Sequence, residues 1–175
     1  MSTDLEALQR ATIAAASETT RISWPPQAQL NALHLAAFAA ARGHAVLAST
    51  RADGRPHATP ADFVLEGVDL WSPTGERALR RRNVRRMPRM SAVISSGDGA
   101  RHAVIVLEGT VREAGPAEIP SATLAAYEAK YGRGPLAIDG WLVLTAERAF
   151  SFHGPDWTPP PASTHAEPNP TRTTS

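Results

Sequence analysis

Two strand-like runs joined by an Asp-Gly turn constrain the fold of this chain more than any other stretch. The first is His44-Ala-Val-Leu-Ala-Ser-Thr50, the turn is Arg51-Ala-Asp-Gly-Arg55, and the second opens as Pro56-His-Ala-Thr-Pro-Ala-Asp-Phe63. Glycine supplies the positive φ that a tight loop needs, so the pair reads as an antiparallel hairpin. The second run is expected to extend from Arg55 to Glu66, with Pro56 and Pro60 inside it. Proline offers no backbone N–H, so this strand is irregular or leaves part of one edge open.

A third run, Val68 to Ser72, leads into seven arginines between Arg77 and Arg89 with no acid among them. Thr74 is placed to cap a helix over about Gly75 to Met87, which Pro88 ends. Met90–Ser96 and Arg101–Val111 read as a fourth and a fifth strand around Gly97-Asp-Gly99. Pro120–Tyr131 reads as a helix, and Trp141–Phe152 as a sixth strand with a bulge. Between Pro26 and Gly43, Leu30, Leu33, His34, Ala37, Phe38 and Ala41 follow helical spacing, with His34 at a packing edge. Short strands punctuated by turns, with helices at fixed points, predict a mainly β chain: a small six-stranded barrel with peripheral helices.

Trp24-Pro-Pro26 divides a helical N-terminal arm (residues 1–26) from the barrel domain (residues 27–153). Residues 154–175 hold many prolines and almost no apolar residue beyond Trp157, so they are expected to be disordered after Trp157. The chain has no cysteine, which removes disulfides and thiolate metal sites. No apolar run is long enough for a membrane span and no signal segment opens the chain, which makes a cytoplasmic location the expectation.

Common catalytic signatures are missing: there is no Gly-x-Ser-x-Gly elbow, no Walker loop and no dinucleotide fingerprint. The six histidines are scattered without helical pairing, so no metal site is expected. Chemistry would then belong to a bound organic cofactor. The arginine segment admits three readings. It is a solvated helix face, a nucleic-acid footprint, or a phosphate site in which Ser72 and Thr74 donate hydroxyls and Arg77, Arg80 or Arg81 close the cradle. The segment carries no interleaved aromatics and the whole chain is only +1, which disfavours nucleic acid.

The order of these pieces resembles the pyridoxamine 5′-phosphate oxidase-like superfamily, the FMN-binding split barrel, which also holds deazaflavin-dependent reductases. The pieces are Asp-Gly-Arg-Pro-His, Trp71-Ser72 at a strand end, Asn-Val-Arg-Arg-Met-Pro-Arg, and Leu-Glu-Gly-Thr-Val; the resemblance covers about Gln29 to Val111, with weaker agreement to Phe152. The resemblance implies a six-stranded split β-barrel and a homodimer with cofactors at the subunit interface. It implies that His57, Thr59, Pro60, Ala61 and Asp62 run along a flavin ring, with Trp71 and Ser72 at the next strand end. It places Arg80 at the family's phosphate-binding basic position, with Arg77 and Arg81 beside it. Ala78-Leu-Arg80 stands where many relatives have Ser-Arg-Lys. Val104 stands where true pyridoxamine phosphate oxidases carry glutamine, and their C-terminal Arg-x-His motif is absent, which argues against vitamin B6 oxidation. The implied function is a flavin- or deazaflavin-dependent oxidoreductase acting on a small molecule, with FMN or the deazaflavin coenzyme F-420. The arginine face would suit the long anionic tail of the latter. A split barrel that carries flavin or haem without turnover is the alternative. No catalytic residue is named, and the substrate's chemical class is not dictated.

Overall fold

A single mixed segment, Pro56 to Glu66, closes the fold on itself. The structure is a computed structural model that describes residues 3–135 and 139–161. Among the described residues seven strands form one antiparallel sheet: β1 (Ala45–Thr50), β2 (Pro56–Ala61), β3 (Val64–Glu66), β4 (Asp69–Thr74), β5 (Arg89–Ser96), β6 (Ala103–Ala114) and β7 (Gly140–His153). The sheet order is β2-β1-β5-β6-β7-β4-β3, so β2 and β3 are its two edges. Yet only Asp62 and Phe63 separate them in sequence. A link that short brings the two edges within roughly 10 Å of each other at that corner. The sheet must therefore curl until its edges meet at one end, and it stays split at the other. This curled antiparallel sheet is the split barrel that the family resemblance implies.

The strand count differs from the expected six. The predicted Arg55–Glu66 strand breaks at Asp62–Phe63, because its first half pairs with β1 and its second with β4. No single extended strand can serve both edges of a curled sheet.

The β1–β2 turn shows how the prolines are accommodated. Gly54 takes a φ of 82°, its N–H bonds to the Arg51 carbonyl, and the Arg51 N–H bonds to the Arg55 carbonyl. Pairs alternate along an antiparallel ladder, so Pro56, Ala58 and Pro60 face away from β1. The missing proline N–H groups would have pointed to the open edge. That edge offers three carbonyls and one N–H, a poor template for another strand.

Inside the curl lies the main core, with Phe63, Leu47, Ile94, Ile105, Leu107 and Leu142 fully buried. Each such side chain contributes about 1.5–3 kcal/mol. Helix α1 (Thr3–Ala14) packs on β7, where the sequence suggests only a peripheral arm. Leu5, Gln9, Thr12 and Ile13 are all buried. Ser151 Oγ donates to Gln9 Oε1 at 2.5 Å, and the Ala149 N–H donates to Thr12 Oγ1 at 3.1 Å. After the short α2 (Glu18–Ser23), α3 (Ala32–Ala41) buries Leu35, Phe38 and Ala39. Its Asn31 cap accepts from the His34 N–H. His34 lies half-buried against Trp157, the packing-edge role its position predicts.

Two further helices pack against the sheet. Helix α4 (Leu79–Arg86) sits against β1 and β6, and Asn83 Nδ2 donates to Ser49 Oγ at 3.0 Å. Helix α5 (Ser121–Tyr131) covers a second cluster made by Val64, Trp71, Trp141, Val143 and Tyr127. Gly154 and Asp156 donate to the His102 and Ala100 carbonyls, so the chain past β7 is docked at least to Trp157. Most of the predicted disordered tail, residues 162–175, lies outside the described residues.

Candidate functional site

Strand β4 alternates its side chains between two compartments. Trp71 points into the cluster beneath α5, whereas Ser72 and Thr74 belong to the opposite face. Ser72 and Thr74 are almost completely buried, and among the described residues neither hydroxyl has a hydrogen-bond partner. Arg80, the second residue of α4, donates through Nη2 to the Pro73 carbonyl between them at 2.8 Å. Its buried Nε is also unpartnered. Burial pulls the Arg80 pKa below the usual arginine value, and the Asp62 carboxylate partly offsets this. Unpaired buried polar groups cost roughly 1–3 kcal/mol each. Three of them lie on or beside the end of β4.

The start of α4 adds to this cradle. Ala78 occupies the cap position and has no side chain with which to cap, so among the described residues nothing accepts from the Leu79 and Arg80 amides. Thr74 is not the cap that the sequence suggests. It pairs with Gly140 as the last residue of β4, and the ladder to β7 holds it four residues short of the helix. The helix is accordingly shorter than predicted.

The arginines divide into distinct jobs. Arg81 pairs with Glu76 and Glu113, both at 2.7 Å, and Arg85 pairs with the same two carboxylates. The Arg85 hydrogen bond holds the Glu113 carboxyl below its usual range despite burial. Arg81 is therefore committed to a clamp between α4 and β6, not free for a ligand. Arg77, Arg82 and Arg86 have no ion-pair partner among the described residues, and all three are exposed.

Along β2, His57, Thr59 and Ala61 sit opposite Ser49, Leu47 and Ala45, on the inward side of the sheet. His57 Nδ1 is buried without a partner among the described residues. Pro60 stands opposite Val46 on the outward side and contributes backbone only to the open edge. Asp62 is drawn toward α5: Tyr127 Oη donates to it at 2.5 Å, Arg133 Nη2 at 3.0 Å, and His44 Nε2 lies 3.6 Å away. Lys130, Tyr131 and Arg133 are polar residues that sequence reading missed, and Tyr127, expected as an apolar anchor of its helix, adds a hydroxyl contact to Asp62. The structure thus places Ser72 and Thr74 on one face of the β4 end, ties Arg80 to the Pro73 carbonyl between them, and sets His57 and Thr59 on edge strand β2. Trp71 and Arg81 are turned to packing, and Arg77 is left in solvent. Among the described residues no cluster of His, Asp and Glu could hold a metal, and no helix is long and apolar enough to cross a membrane.

A curled antiparallel sheet whose edge strands meet at one corner, with a basic helix after β4, defines the split-barrel class. Residues 34–152 match the pyridoxamine 5′-phosphate oxidase family, and the chain belongs to it. Among solved structures it resembles a conserved hypothetical protein of Mycobacterium tuberculosis, with a TM-score of 0.63 and 20% identity over 74% of this chain and 89% of that one. The haem storage protein of Vibrio cholerae gives a TM-score of 0.56 and 18% identity, over 67% and 89%. A haem binding protein of Mycobacterium smegmatis gives 0.58 and 22%, over 69% of this chain but 53% of that one. No curated protein matches the chain.

Proposed function

We propose that this protein is a flavin-dependent oxidoreductase that uses FMN to move hydride to or from a small molecule. The observation that carries the reading is the set of unpartnered, buried donors of Ser72, Thr74 and Arg80 beside the uncapped start of α4. Two hydroxyls, a guanidinium N–H and free amides suit the dianionic oxygens of a terminal phosphate. The flavin ring would supply the redox chemistry when bound. The chain's own part is to bind the phosphate, to lay the ring along β2 beside His57 and Thr59, and to exclude water from it. The free Arg77, Arg82 and Arg86 favour a second reading, a deazaflavin coenzyme whose anionic tail runs past α4. The visible spectrum and titrations of the purified protein separate these. Flavin absorption with saturable FMN binding supports the first reading, and preference for the deazaflavin supports the second. A Soret band would instead bring in the haem binding named for the M. smegmatis and V. cholerae proteins.

The reading includes a homodimer. Pro60, Val46, Val93 and Val106 are successive cross-strand neighbours on the outward face, and Val46 is 42% exposed in mid-strand. Ala48 and Ser91 continue this face into an open groove of about 400 Å³ edged by Arg89 and Arg148. A second copy covering the face would explain an apolar row on an open sheet. Val46→Glu is expected to convert a dimer to a monomer in light scattering, because a carboxylate at the centre of an apolar contact cannot be solvated. A Val46→Glu variant that remains dimeric would place the interface elsewhere.

A further inference from the structure

We propose that α5 is the element that fixes the cofactor strand β2, with Tyr127, Lys130 and Tyr131 acting as positioning residues on the Asp62–Phe63 corner. The inference rests on the flavin reading for its functional meaning, but the clamp itself is a statement about this chain alone.

Strand β2 is weakly held by its own ladder. It is an edge strand of six residues, only His57, Thr59 and Ala61 face β1 for hydrogen bonding, and its other edge is open. Its far end is the corner where the two sheet edges meet. Four side chains of α5 and the turn after it grip that corner. Tyr127 and Arg133 bind the Asp62 carboxylate. Tyr131 Oη accepts from the Phe63 N–H at 2.8 Å and lies 2.9 Å from the Gly43 carbonyl oxygen. Lys130 Nζ donates to the Phe63 and Ala39 carbonyls, each at 3.0 Å, and sits 3.4 Å from the Phe63 ring centroid. This is the only lysine in the chain. It joins α5, the end of α3 and the corner in one contact. Phe63 is itself fully buried, so the corner is anchored in the main core on one side and gripped by α5 on the other.

The charged groups around Lys130 are Asp62 on the corner, Arg42 beyond α3, and Arg133 on the far side of Asp62. Tyr131 and Tyr127 face it from α5 itself, and His44 faces Asp62 from the start of β1. Burial pulls the amine down to about 7, Asp62 resists this and Arg42 adds to it. The free lysine value lies near 10.5. Below pH 7 both folded and unfolded chains carry the proton, and stability is flat with respect to this group. Between about pH 7 and 10.5 the unfolded chain binds the extra proton, so stability rises with pH. The rise disappears when the amine is removed.

The test uses full-length protein with Lys130→Met and Tyr127→Phe. In cofactor-free protein, hydrogen exchange at the His57, Thr59 and Ala61 amides is expected to quicken about tenfold in both variants, with β5–β7 unchanged. FMN and riboflavin are expected to weaken by the same factor, about tenfold, because the strand beside the ring is displaced and the phosphate cradle is not. The melting temperature of the wild type should climb from pH 7 to 9 and that of Lys130→Met should not. Unchanged exchange in β2, or exchange that quickens across the whole sheet, overturns the clamp. Weakening of FMN with riboflavin unaffected overturns it too, since that pattern belongs to the phosphate site. Local quickening in β2 with no flavin bound by any form would keep the clamp and reject the flavin reading.

Discussion

Arg80→Ala is expected to raise the FMN dissociation constant by about 100-fold while leaving the melting temperature nearly unchanged. Charge-assisted hydrogen bonds contribute about 1.5–3 kcal/mol each, and 2.7 kcal/mol corresponds to about two orders of magnitude. The stability side follows from what Arg80 does in the fold. Its one hydrogen bond reaches the Pro73 carbonyl, and its Nε has no partner among the described residues. Little is lost when it goes, apart from its stem. Arg81→Ala should behave in the opposite way. It strips Glu76 and Glu113 of a buried guanidinium, so the expected result is a drop in melting temperature with a smaller change in FMN affinity. Parallel flavin titrations and thermal melts of the two variants check the pair. If Arg81→Ala loses FMN and Arg80→Ala keeps it, the phosphate contact has been placed on the wrong arginine.

Gly109→Ala is expected to destabilise the fold by about 3 kcal/mol or more, with a fall in melting temperature of roughly 10 °C. A Cβ at this position would stand 2.0 Å from the Thr145 carbonyl oxygen and 3.0 Å from Ala146 Cα, both of them backbone. Neither can rotate away. The close approach arises where the β6–β7 ladder slips: Glu108 pairs with Arg148 and Gly109 with Ala146, leaving Glu147 as the extra residue. Such a bulge bends the paired strands and lets them wrap the core. Gly43→Ala is the matched control, because nothing lies within 4 Å of the added carbon there. Urea denaturation should show a large loss for the first variant and almost none for the second. A loss for Gly109→Ala no larger than that for Gly43→Ala would mean that β6 and β7 relax around the bulge.

The legible parts of this chain were those whose signals are local. The Asp-Gly turn and the prolines of β2 announce their conformation within a few residues and appear where the sequence puts them, and the arginine run is helical over the shorter span Leu79–Arg86. The break at Asp62–Phe63 could not be read, because it follows from the curl of the whole sheet, not from the dipeptide. Helix α1 was underrated for a related reason. Its inward positions include Gln9 and Thr12, whose burial is satisfied by Ser151, Leu30 and Ala149 from distant parts of the chain. Within the site, the facing of Ser72 away from Trp71 follows from strand alternation and could have been deduced. Which arginines are free could not. Arg81 is tied by Glu113, a residue on a strand two elements later, and the same holds for the grip of Lys130 on Phe63.

The central question is whether the unpartnered donors at the end of β4 hold a phosphate that is attached to a flavin. The direct measurement is a pair of equilibrium titrations of the wild-type protein, with FMN and with riboflavin, followed by flavin fluorescence. The two ligands share a ring and differ in the phosphate alone. Saturable FMN binding roughly 100-fold tighter than riboflavin is the predicted result. Equal affinity for both would empty the cradle of its assigned role, and binding of neither would contradict the flavin reading itself.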